Sequence, residues 1–547
     1  MNTPRRVLIV GGVAGGMSAA TRLRRLDERA DIVVFERGHH VSYANCGLPY
    51  FVGGVIEDRA ELLLQSPAAL RERFDLDVRV RHEVVGIDRE AQEITVRDLG
   101  SARETRERYD DLILSPGARP VIPPLDGVER ALTLRDVSDV DAMTAALASG
   151  PQTAVVIGAG FIGLELAENL HHRGLAVTLI EASSQVMPPL DPELAVLVED
   201  ELRAHGIAVE LNTQVVRIGA KDVTLSDGQT IPAELVALAI GVQPESTLAE
   251  RAGLDLGLRG AIVVNERQQT SDPHVYAVGD AVEKRNALGG GPLLAPLANT
   301  ANRQGRLVAD VITGAHVTMR PTLGTAIVGL FGVSVALTGA SEKQLRTQGI
   351  VPRVIHTHPL SHAGYYPGAT QMALKLLVDV DTDEILGAQA VGGEGVDKRI
   401  DVIATAMAGG LRASELADVE LAYAPQFGSA KDPVNMLGFI AENLRDKTAK
   451  SLQWHELNEA MATGSTLIDV RSHTEREESS IPGSIHIPSE EIRANLDVLP
   501  AGELIVYCAA GQRGHTAARI LSQAGRSVAN LDGGMRTWQA GSSSLKR

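Results

Sequence analysis

The chain has two cysteines among 547 residues, and the sequence around each one predicts a turn that enters a helix. Cys46 lies in Ser-Tyr-Ala-Asn-Cys-Gly-Leu-Pro-Tyr, residues 42–50, and Cys508 directly follows the apolar strand Leu-Ile-Val-Tyr. The partial positive charge at a helix N-terminus lowers a thiol pKa from its free value of about 8.5, which favours the nucleophilic thiolate. A lone cysteine is more often buried and inert, so this stretch alone leaves both interpretations of Cys46 open.

A glycine-rich turn precedes Cys46 and predicts a dinucleotide site. An apolar strand at 7–10 leads into the turn, a helix follows over 17–27, and a second strand at 31–35 ends in Glu36. Such a turn directs backbone N–H groups at a pyrophosphate, and the acid after the second strand binds a ribose. Val13 stands where the motif usually has its second glycine. The turn glycines are Gly11, Gly12, Gly15 and Gly16.

A second copy of this motif begins near residue 154. A strand at 154–157 is followed by Gly158, Gly160 and Gly163, by a helix to residue 172, and by a strand at 177–180 that ends in Glu181. Glu181 can accept hydrogen bonds from both ribose hydroxyls and would repel a 2′-phosphate, so we predict NADH rather than NADPH. The alternative is a structural α/β repeat that binds no ligand.

Composition limits the classes of protein to consider. A net charge of −17 argues against a general nucleic-acid surface, and 44% apolar with 22% charged residues is ordinary for a globular protein. Two distant cysteines make no disulfide framework, which predicts a reducing compartment, here the cytoplasm. No apolar run is long enough to span a membrane, so we expect no membrane partner.

Two short elements complete a family pattern. A strand at 109–114 ends in Ser115-Pro-Gly117-Ala, and a strand at 275–278 ends in Gly279-Asp280. With both glycine turns, they make residues 1 to about 440 resemble the flavin-dependent pyridine nucleotide–disulfide oxidoreductases. The resemblance implies FAD in the first site, NADH in the second, and a homodimer. Alone, Asp280 could also be a helix N-cap.

The resemblance also predicts how the chain is divided. The FAD domain of this family is interrupted by the NAD domain, and an α+β dimerisation domain follows. The predicted boundaries are 1–149 and 271–320 for the FAD-binding domain, 150–270 for the NAD(H)-binding domain, 321–440 for the dimerisation domain and 441–451 for a linker.

The number of cysteines limits which branches of this family the chain can belong to. Many members of the family reduce disulfides with two neighbouring cysteines, and this chain has only Cys46 in that region. Water-forming NADH oxidases, NADH peroxidases and coenzyme A-disulfide or persulfide reductases remain. The stretch that holds Ser42, Asn45 and Cys46 resembles the coenzyme A branch most, in which the cysteine forms a mixed disulfide with coenzyme A.

The same branch implies further site residues. Tyr365 and Tyr423 resemble a pair that reaches the partner subunit's active site, and Lys431 resembles a lysine that contacts coenzyme A. Arg22 and Arg25 share a helix face at the position where the family contacts coenzyme A. The alternatives are tyrosines packed in the structure and arginines on a solvated helix face.

The last hundred residues predict a separate α/β unit. The loop from Cys508 to Arg513 enters a helix, and its backbone N–H groups can stabilise a thiolate or a terminal persulfide, with Arg513 adding charge. Residues 452–547 resemble a rhodanese domain, which implies a sulfurtransferase that carries sulfur on Cys508. Ser480 and Gly514 depart from the family pattern. The alternative is a rhodanese unit that serves only for docking.

Together these features predict an α/β chain with two dinucleotide-binding, Rossmann-like domains, an α+β dimerisation domain and a C-terminal rhodanese-like domain. The predicted function is FAD- and NADH-dependent reduction of coenzyme A persulfide, polysulfide or coenzyme A disulfide. Cys46 is the redox nucleophile, and Cys508 delivers sulfane sulfur to coenzyme A. The alternative is an NADH oxidase or peroxidase in which Cys46 forms a sulfenic acid. No metal site is predicted.

Overall fold

The computed structural model describes residues 4–547, which form two compact units. The first unit contains the chain up to Ile180 together with Thr213–Gly324, and the second contains Glu181–Asn212 together with Thr325–Arg547. In residues 4–547, every helix is too short or too polar to span a membrane.

The helices and strands follow in chain order. Up to residue 180 they are β1 (Arg6–Val10), α1 (Ala14–Leu26), β2 (Asp31–Glu36), α2 (Leu48–Gly53), α3 (Pro67–Phe74), β3 (Asp77–Val80), β4 (His82–Asp88), β5 (Glu93–Asp98), β6 (Glu104–Arg108), β7 (Asp111–Leu114), β8 (Ala118–Pro120), α4 (Val137–Ala148), β9 (Thr153–Ile157), α5 (Phe161–His172) and β10 (Ala176–Ile180). Between 181 and 324 they are α6 (Pro192–Ala204), β11 (Ala208–Glu210), β12 (Val215–Ile218), β13 (Asp222–Leu225), β14 (Thr230–Pro232), β15 (Leu235–Leu238), β16 (Val242–Pro244), α7 (Thr247–Arg251), β17 (Val275–Ala277), β18 (Lys284–Arg285), β19 (Pro292–Leu293) and α8 (Ala298–Ile312).

The remaining elements belong to the second unit. They are β20 (Ala326–Leu330), β21 (Val333–Gly339), α9 (Glu342–Thr347), β22 (Arg353–Thr357), β23 (Met372–Val378), β24 (Ile385–Gly392), α10 (Val396–Gly409), α11 (Pro433–Arg445), β25 (Ser451–Leu452), α12 (Leu457–Ala462), β26 (Thr466–Asp469), α13 (His473–Glu478), β27 (Ile485–His486), β28 (Leu504–Tyr507), α14 (Gln512–Gln523), β29 (Val528–Leu531) and α15 (Gly534–Ser544).

Two parallel sheets carry the glycine turns of the first unit. The larger sheet has the order β17-β7-β1-β2-β3, and in the smaller one β10 and β15 pair with β9 on either side. Strands β1, β7 and β9 consist mainly of apolar residues buried on both faces, as expected of parallel sheets covered by helices. Strand β17 lies after the second glycine motif in sequence and joins the first sheet.

Helix α1 packs closely against α8. The backbones can approach because Gly305 has no side chain: a Cβ there would lie 2.1 Å from Gly15 O. Gly16 meets the turn in the same way, since a Cβ would lie 2.0 Å from Gly11 O. These contacts hold the N-terminus of α1 at the end of β1, where the sequence places the first ligand site.

The second unit contains one antiparallel and one parallel sheet. The antiparallel sheet has the order β20-β21-β24-β23-β22, and its core includes residues of α10 and α11. The parallel sheet has the order β25-β29-β28-β26-β27, with α12–α15 after its strands. Helix α11 extends to Arg445, so the first positions of the predicted linker 441–451 are helical. The charged residues there are those of an exposed helix end.

Candidate active site

Cys46 lies in the 3-10 turn Asn45–Gly47, directly before the short helix α2. Its side chain is exposed, and Sγ lies 3.9 Å from Asn45 Oδ1. Ser42 has a positive φ of 49°, and its N–H donates to Gly12 O at 2.8 Å. This bond ties the cysteine segment to the first glycine turn.

Burial and nearby acids oppose the predicted activation of Cys46 by the helix N-terminus, which stays a prediction. Although one side of the sulfur is open to solvent, desolvation by the surrounding protein raises the thiol pKa, and the charges of Glu165 and Asp280 raise it further. Helix α2, which directly follows the turn that contains Cys46, has 6 residues. The group that favours the thiolate is Arg135, whose positive charge lowers the pKa.

Sequence reasoning missed a polar pair beside Cys46. Tyr50 donates its hydroxyl to Glu165 Oε1 at 3.1 Å, where α2 packs against α5. Burial raises the pKa of Glu165, although the Tyr50 hydrogen bond opposes this, and burial with the charge of Glu165 raises the pKa of Tyr50. Tyr50 therefore stays protonated as the donor. It ends the 42–50 stretch, but no local pattern indicates Glu165 or Arg135.

The first glycine turn has the predicted geometry. Gly12 and Gly38 donate their N–H groups to the two oxygens of Glu36, at 2.9 and 2.7 Å. Gly11 has a φ of 99°, and a Cβ there would lie 2.0 Å from Ser115 O. Helix α1 has no side-chain cap at its N-terminus, so its first N–H groups are available to a ligand.

The remaining predicted FAD residues gather around Ser115. Its Oγ would lie 2.9 Å from a Cβ at Gly15 and 3.7 Å from one at Gly279. Gly279 donates its N–H to Gln304 Oε1 at 2.9 Å, which fixes the loop that carries Asp280. Within residues 4–547 the carboxylate of Asp280 accepts no hydrogen bond from a protein donor, which suits a carboxylate reserved for a ligand hydroxyl.

Gly117 faces the arginine that the sequence did not indicate. It has a φ of 77°, and a Cβ there would lie 2.5 Å from Arg135 Nη2. Arg135 also donates Nε–H to Ala118 O at 2.6 Å. The Ser115–Ala118 turn therefore positions a positive charge that acts on Cys46.

The second glycine turn is closely packed against its sheet. A Cβ at Gly158 would lie 2.5 Å from Ala239 O, and one at Gly163 would lie 1.9 Å from Gly158 O. Gly160 is the N-cap of α5, with no side-chain cap and open space around it. Both observations fit a pyrophosphate at the helix N-terminus. Glu181 directly follows β10, and its Oε1 accepts from Ser183 N–H at 2.8 Å.

The two arginines predicted to clamp coenzyme A differ in their contacts. Arg22 forms an ion pair with Asp310 of α8, with Nη2 2.7 Å from Oδ1. This ion pair already partly balances the charge of Arg22, and its predicted contact with coenzyme A stays a prediction. Arg25 is exposed, lies over the ring of Phe74 at 6.0 Å, and has no carboxylate partner in residues 4–547.

The second unit brings the two predicted tyrosines together. The hydroxyls of Tyr365 and Tyr423 lie 3.1 Å apart, and both rings are exposed, by 76% and 49%. The hydrogen bond with Tyr365 raises the pKa of Tyr423. Lys431 is exposed and lines a cavity of about 270 Å³ beside Ala422. Phe427 is 67% exposed near these groups in sequence.

Cys508 lies at the end of β28 and is buried. The N–H of Gly511 donates to its Sγ at 3.1 Å, and Gly511 has the positive φ of 93° that turns the loop into α14. Gly514 leaves room for Asn530, because a Cβ at Gly514 would lie 2.2 Å from Asn530 Oδ1. Asn530 also donates to Gly511 O at 3.1 Å, so this packing explains the departure at Gly514.

Arg513, which interacts with Cys508, is paired with Glu475, an acid that the sequence did not indicate. Its two terminal nitrogens donate to the two oxygens of Glu475 at 2.7 and 2.6 Å. This pairing lowers the pKa of Glu475 to about 2, and the interactions of Arg513 with Glu475 and Cys508 raise its own pKa. Arg536 also interacts with this site. Burial lowers the pKa of Arg536, and the charges of Glu475 and Cys508 oppose that effect.

Comparison with known proteins decides the family. Residues 5–305 match the model of the pyridine nucleotide-disulphide oxidoreductases, residues 325–433 match their dimerisation domain, and residues 453–541 match the rhodanese-like domain. Coenzyme A disulfide reductase of Staphylococcus haemolyticus is 36% identical over 442 residues, which cover 80% of this chain and 100% of that protein. The chain belongs to the pyridine nucleotide-disulphide oxidoreductase family.

Solved structures of this family extend the similarity to nearly the whole chain. The reduced CoADR-RHD of Bacillus anthracis is 46% identical, with a TM-score of 0.97 over 98% of each chain. A NAD-dependent persulfide reductase from A. fulgidus is 38% identical, with a TM-score of 0.91 over 97% of this chain and 100% of that one. The predicted family resemblance and fold class are confirmed.

As a pyridine nucleotide-disulphide oxidoreductase, the chain is a flavin-dependent enzyme with a rhodanese domain, and its cofactors are FAD and NAD(H). The predicted cofactor pair is thereby confirmed. The matched dimerisation domain contains Tyr365, Tyr423 and Phe427, so these exposed aromatic side chains lie in the part of the family fold that forms the dimer. The individual site residues and the domain boundaries stay predictions.

Proposed function

We propose that the enzyme uses NADH to reduce coenzyme A persulfide or polysulfide, and also coenzyme A disulfide, at Cys46. The observation that carries this proposal is an exposed cysteine, Cys46, in a unit with no second cysteine. A dithiol relay needs two neighbouring thiols, so the second sulfur comes from the substrate. The names of the coenzyme A disulfide reductase and the persulfide reductase among its relatives support this choice.

The two glycine turns are proposed to hold the cofactors. Gly11, Gly15, Ser115, Gly279 and Asp280 would contact FAD. Gly158, Gly160, Gly163 and Glu181 would contact NADH. When bound, FAD supplies to the active-site disulfide the two electrons that originate in NADH.

The chain's own chemistry is thiol–disulfide exchange at Cys46. The Cys46 thiolate attacks the inner sulfur of the coenzyme A persulfide, forms a mixed disulfide with coenzyme A, and releases hydrosulfide. Two-electron reduction of that disulfide regenerates the Cys46 thiolate and coenzyme A thiol. In total, the persulfide, NADH and one proton yield coenzyme A, hydrogen sulfide and NAD⁺. Arg135 stabilises the thiolate against Glu165 and Asp280.

Cys508 is proposed to supply the sulfane sulfur. Its thiolate takes the outer sulfur of an external persulfide, and the donor leaves as a thiolate. Coenzyme A thiolate then takes the sulfur from Cys508 and becomes coenzyme A persulfide. The Gly511 N–H, which already donates to Sγ, stabilises the negative sulfur in both steps, and Arg513 adds positive charge.

The other contacts with coenzyme A are also proposals. Arg25 and Lys431 are exposed cations suited to its phosphates, and Arg22 would have to exchange its bond with Asp310. In a homodimer, the Tyr365–Tyr423 pair would donate a hydrogen bond to sulfur in the partner's site. The two free thiols suit a reducing compartment such as the cytoplasm.

An anaerobic assay tests the proposed function. We expect one hydrosulfide to be released for each NADH oxidised when coenzyme A persulfide is the substrate. In separate assays with oxygen or peroxide in place of the persulfide, NADH should be oxidised far more slowly. Oxygen or peroxide reduction at the rate of persulfide reduction would contradict the proposal and favour an NADH oxidase or peroxidase.

The nucleotide preference is expected to depend on Glu181. Glu181→Gln keeps an acceptor for a ribose hydroxyl but removes the negative charge that repels a 2′-phosphate. The ratio of kcat/KM for NADPH to that for NADH should therefore rise at least about tenfold, or about 1.4 kcal/mol. Glu129→Gln, at an exposed glutamate of the first unit, is the matched control. An unchanged ratio in the Glu181 variant would show that another group selects NADH.

A further inference from the structure

A chain of buried charges crosses the second unit and reaches the rhodanese domain. Lys375 Nζ lies 2.5 Å from Glu193 Oε1, which lies 3.0 Å from His356 Nε2, while His356 Nδ1 lies 2.6 Å from Asp532 Oδ2. These four residues are 1–4% exposed. They come from β23, α6, β22 and the end of β29, respectively, and we call them the buried relay.

The acids around Lys375 are balanced by the protein itself. Asp191, Glu193 and Glu342 offer oxygens within 4.8 Å of one another, a spacing that could suit a metal ion. The Lys375 ammonium lies 3.0, 2.5 and 2.7 Å from these three acids and takes that place. Burying these charges costs desolvation energy, so the network adds little net stability. We expect its main effect to be that it fixes the relative positions of the segments that carry it.

The relay ends behind the Cys508 loop. His356 holds Asp532 twice, through Nδ1 and through its backbone N–H, which donates to Asp532 Oδ2 at 2.9 Å. Asp532 is followed by Gly533 and Gly534, both with a φ of 64°, and α15 begins there. Space at this corner is tight, because a Cβ at Gly533 would lie 2.9 Å from His356 Cβ.

The first residues of α15 bind the loop directly. The N–H of Met535 donates to Cys508 O at 2.8 Å, and the N–H of Arg536 donates to Ala509 O at 3.1 Å. A Cβ at Gly534 would lie 2.3 Å from Cys508 O. A shift of Asp532 would therefore move the donors that hold the sulfur-carrying loop.

We propose that His356, a residue of the dimerisation domain, is a positioning residue for sulfur transfer at Cys508, acting through Asp532 and the start of α15. This inference rests on the proposed role of Cys508 as a sulfur carrier. The inference makes the rhodanese active site dependent on the reductase portion of the chain. Strand β22, which contains His356, would hold the Cys508 loop in position.

The charge of His356 gives the proposal a pH signature. Burial alone would lower its pKa, but hydrogen bonds to Asp532 and Glu193 and their charges raise it to about 9. Lys375 pairs opposite His356 in the sheet, and His358 stays neutral because burial, with the charges of His356 and Arg536, lowers its pKa to about 3. Because the pKa is raised, the contacts of protonated His356 with Asp532 and Glu193 are fully present below the ordinary histidine pKa of 6.5. They are lost as the pH rises through about 9.

The test uses the full-length holoenzyme and two substitutions at one position. His356→Ala removes both side-chain contacts, whereas His356→Asn places an amide donor near the position of Nδ1 and cannot titrate. The measured quantities are sulfur transfer from thiosulfate to cyanide through Cys508, and NADH-dependent reduction of coenzyme A disulfide, which does not need Cys508. His455→Ala, at an exposed histidine of the rhodanese domain, is the control.

We expect His356→Ala to lower sulfur transfer by about 10²-fold, as a misplaced reactive group does, with disulfide reduction changed less than about twofold. His356→Asn should restore most of the transfer at neutral pH and abolish the wild-type decline through pH 9. Wild-type rates and pH profile in both variants would overturn the inference. If His356→Ala does not fold, the pH profile of sulfur transfer in His356→Asn tests the inference alone. Absence of transfer in the wild-type enzyme would instead reject the proposed role of Cys508, and this inference with it.

Discussion

Cys46→Ser is expected to lower NADH-dependent reduction of coenzyme A persulfide and coenzyme A disulfide by on the order of 10⁴-fold, as loss of a covalent nucleophile does. A serine hydroxyl cannot form a disulfide, and the first unit has no other thiol to replace it. Stopped-flow measurement of substrate turnover checks this expectation. Bleaching of the flavin by NADH serves as an internal control, because it does not require Cys46.

The matched control for Cys46→Ser is Cys508→Ser, measured with coenzyme A disulfide. This substrate brings its own disulfide to Cys46, so the Cys508 variant should retain the wild-type rate. Full persulfide reduction by the Cys46 variant would contradict the proposed mechanism.

Cys508→Ser is expected to abolish sulfur transfer from an external donor. The Gly511 N–H donates to the sulfur, and a serine oxygen there cannot carry sulfane sulfur as a persulfide. Release of hydrosulfide from an external persulfide with catalytic coenzyme A should therefore fall by at least about 10²-fold. Preformed coenzyme A persulfide should still be reduced, because it enters at Cys46. The measurement is hydrosulfide release with each of the two substrates.

An unchanged rate with the external donor would contradict this role for Cys508. It would favour the alternative in which the rhodanese unit only docks on the flavoenzyme. Arg513→Lys provides an intermediate test, because lysine keeps the charge but cannot form the two parallel hydrogen bonds that Arg513 makes with Glu475. It should reduce sulfur transfer without affecting the reduction of coenzyme A disulfide.

The features that could be predicted from the sequence are local. The two strand–turn–helix motifs depend on neighbouring residues: apolar strands, glycines that meet backbone oxygens, and an acid at the next strand end. The structure has these features at Gly11 and Glu36 and at Gly158 and Gly163. Their spacing along the chain reflects covalent geometry, so the pattern is readable without tertiary structure.

The partners of charged groups could not be predicted in the same way. Arg22 pairs with Asp310, 288 positions away, and His356 binds Asp532, 176 positions away. The pKa of Cys46 depends on Glu165, Asp280 and Arg135, which lie on three other segments. Burial and the two acids act against the helix-end effect that the local pattern predicts, and no local rule indicates them.

The intact mass of the oxidised full-length enzyme tests the central proposal most directly. After exposure to coenzyme A disulfide and removal of free ligand, each chain should be heavier by one coenzyme A bound to Cys46. NADH should remove the adduct, and Cys46→Ser should never acquire it, while Cys508→Ser should behave as the wild-type enzyme does. An oxidised wild-type chain that carries no coenzyme A, and is instead heavier by one oxygen at Cys46, would contradict the account.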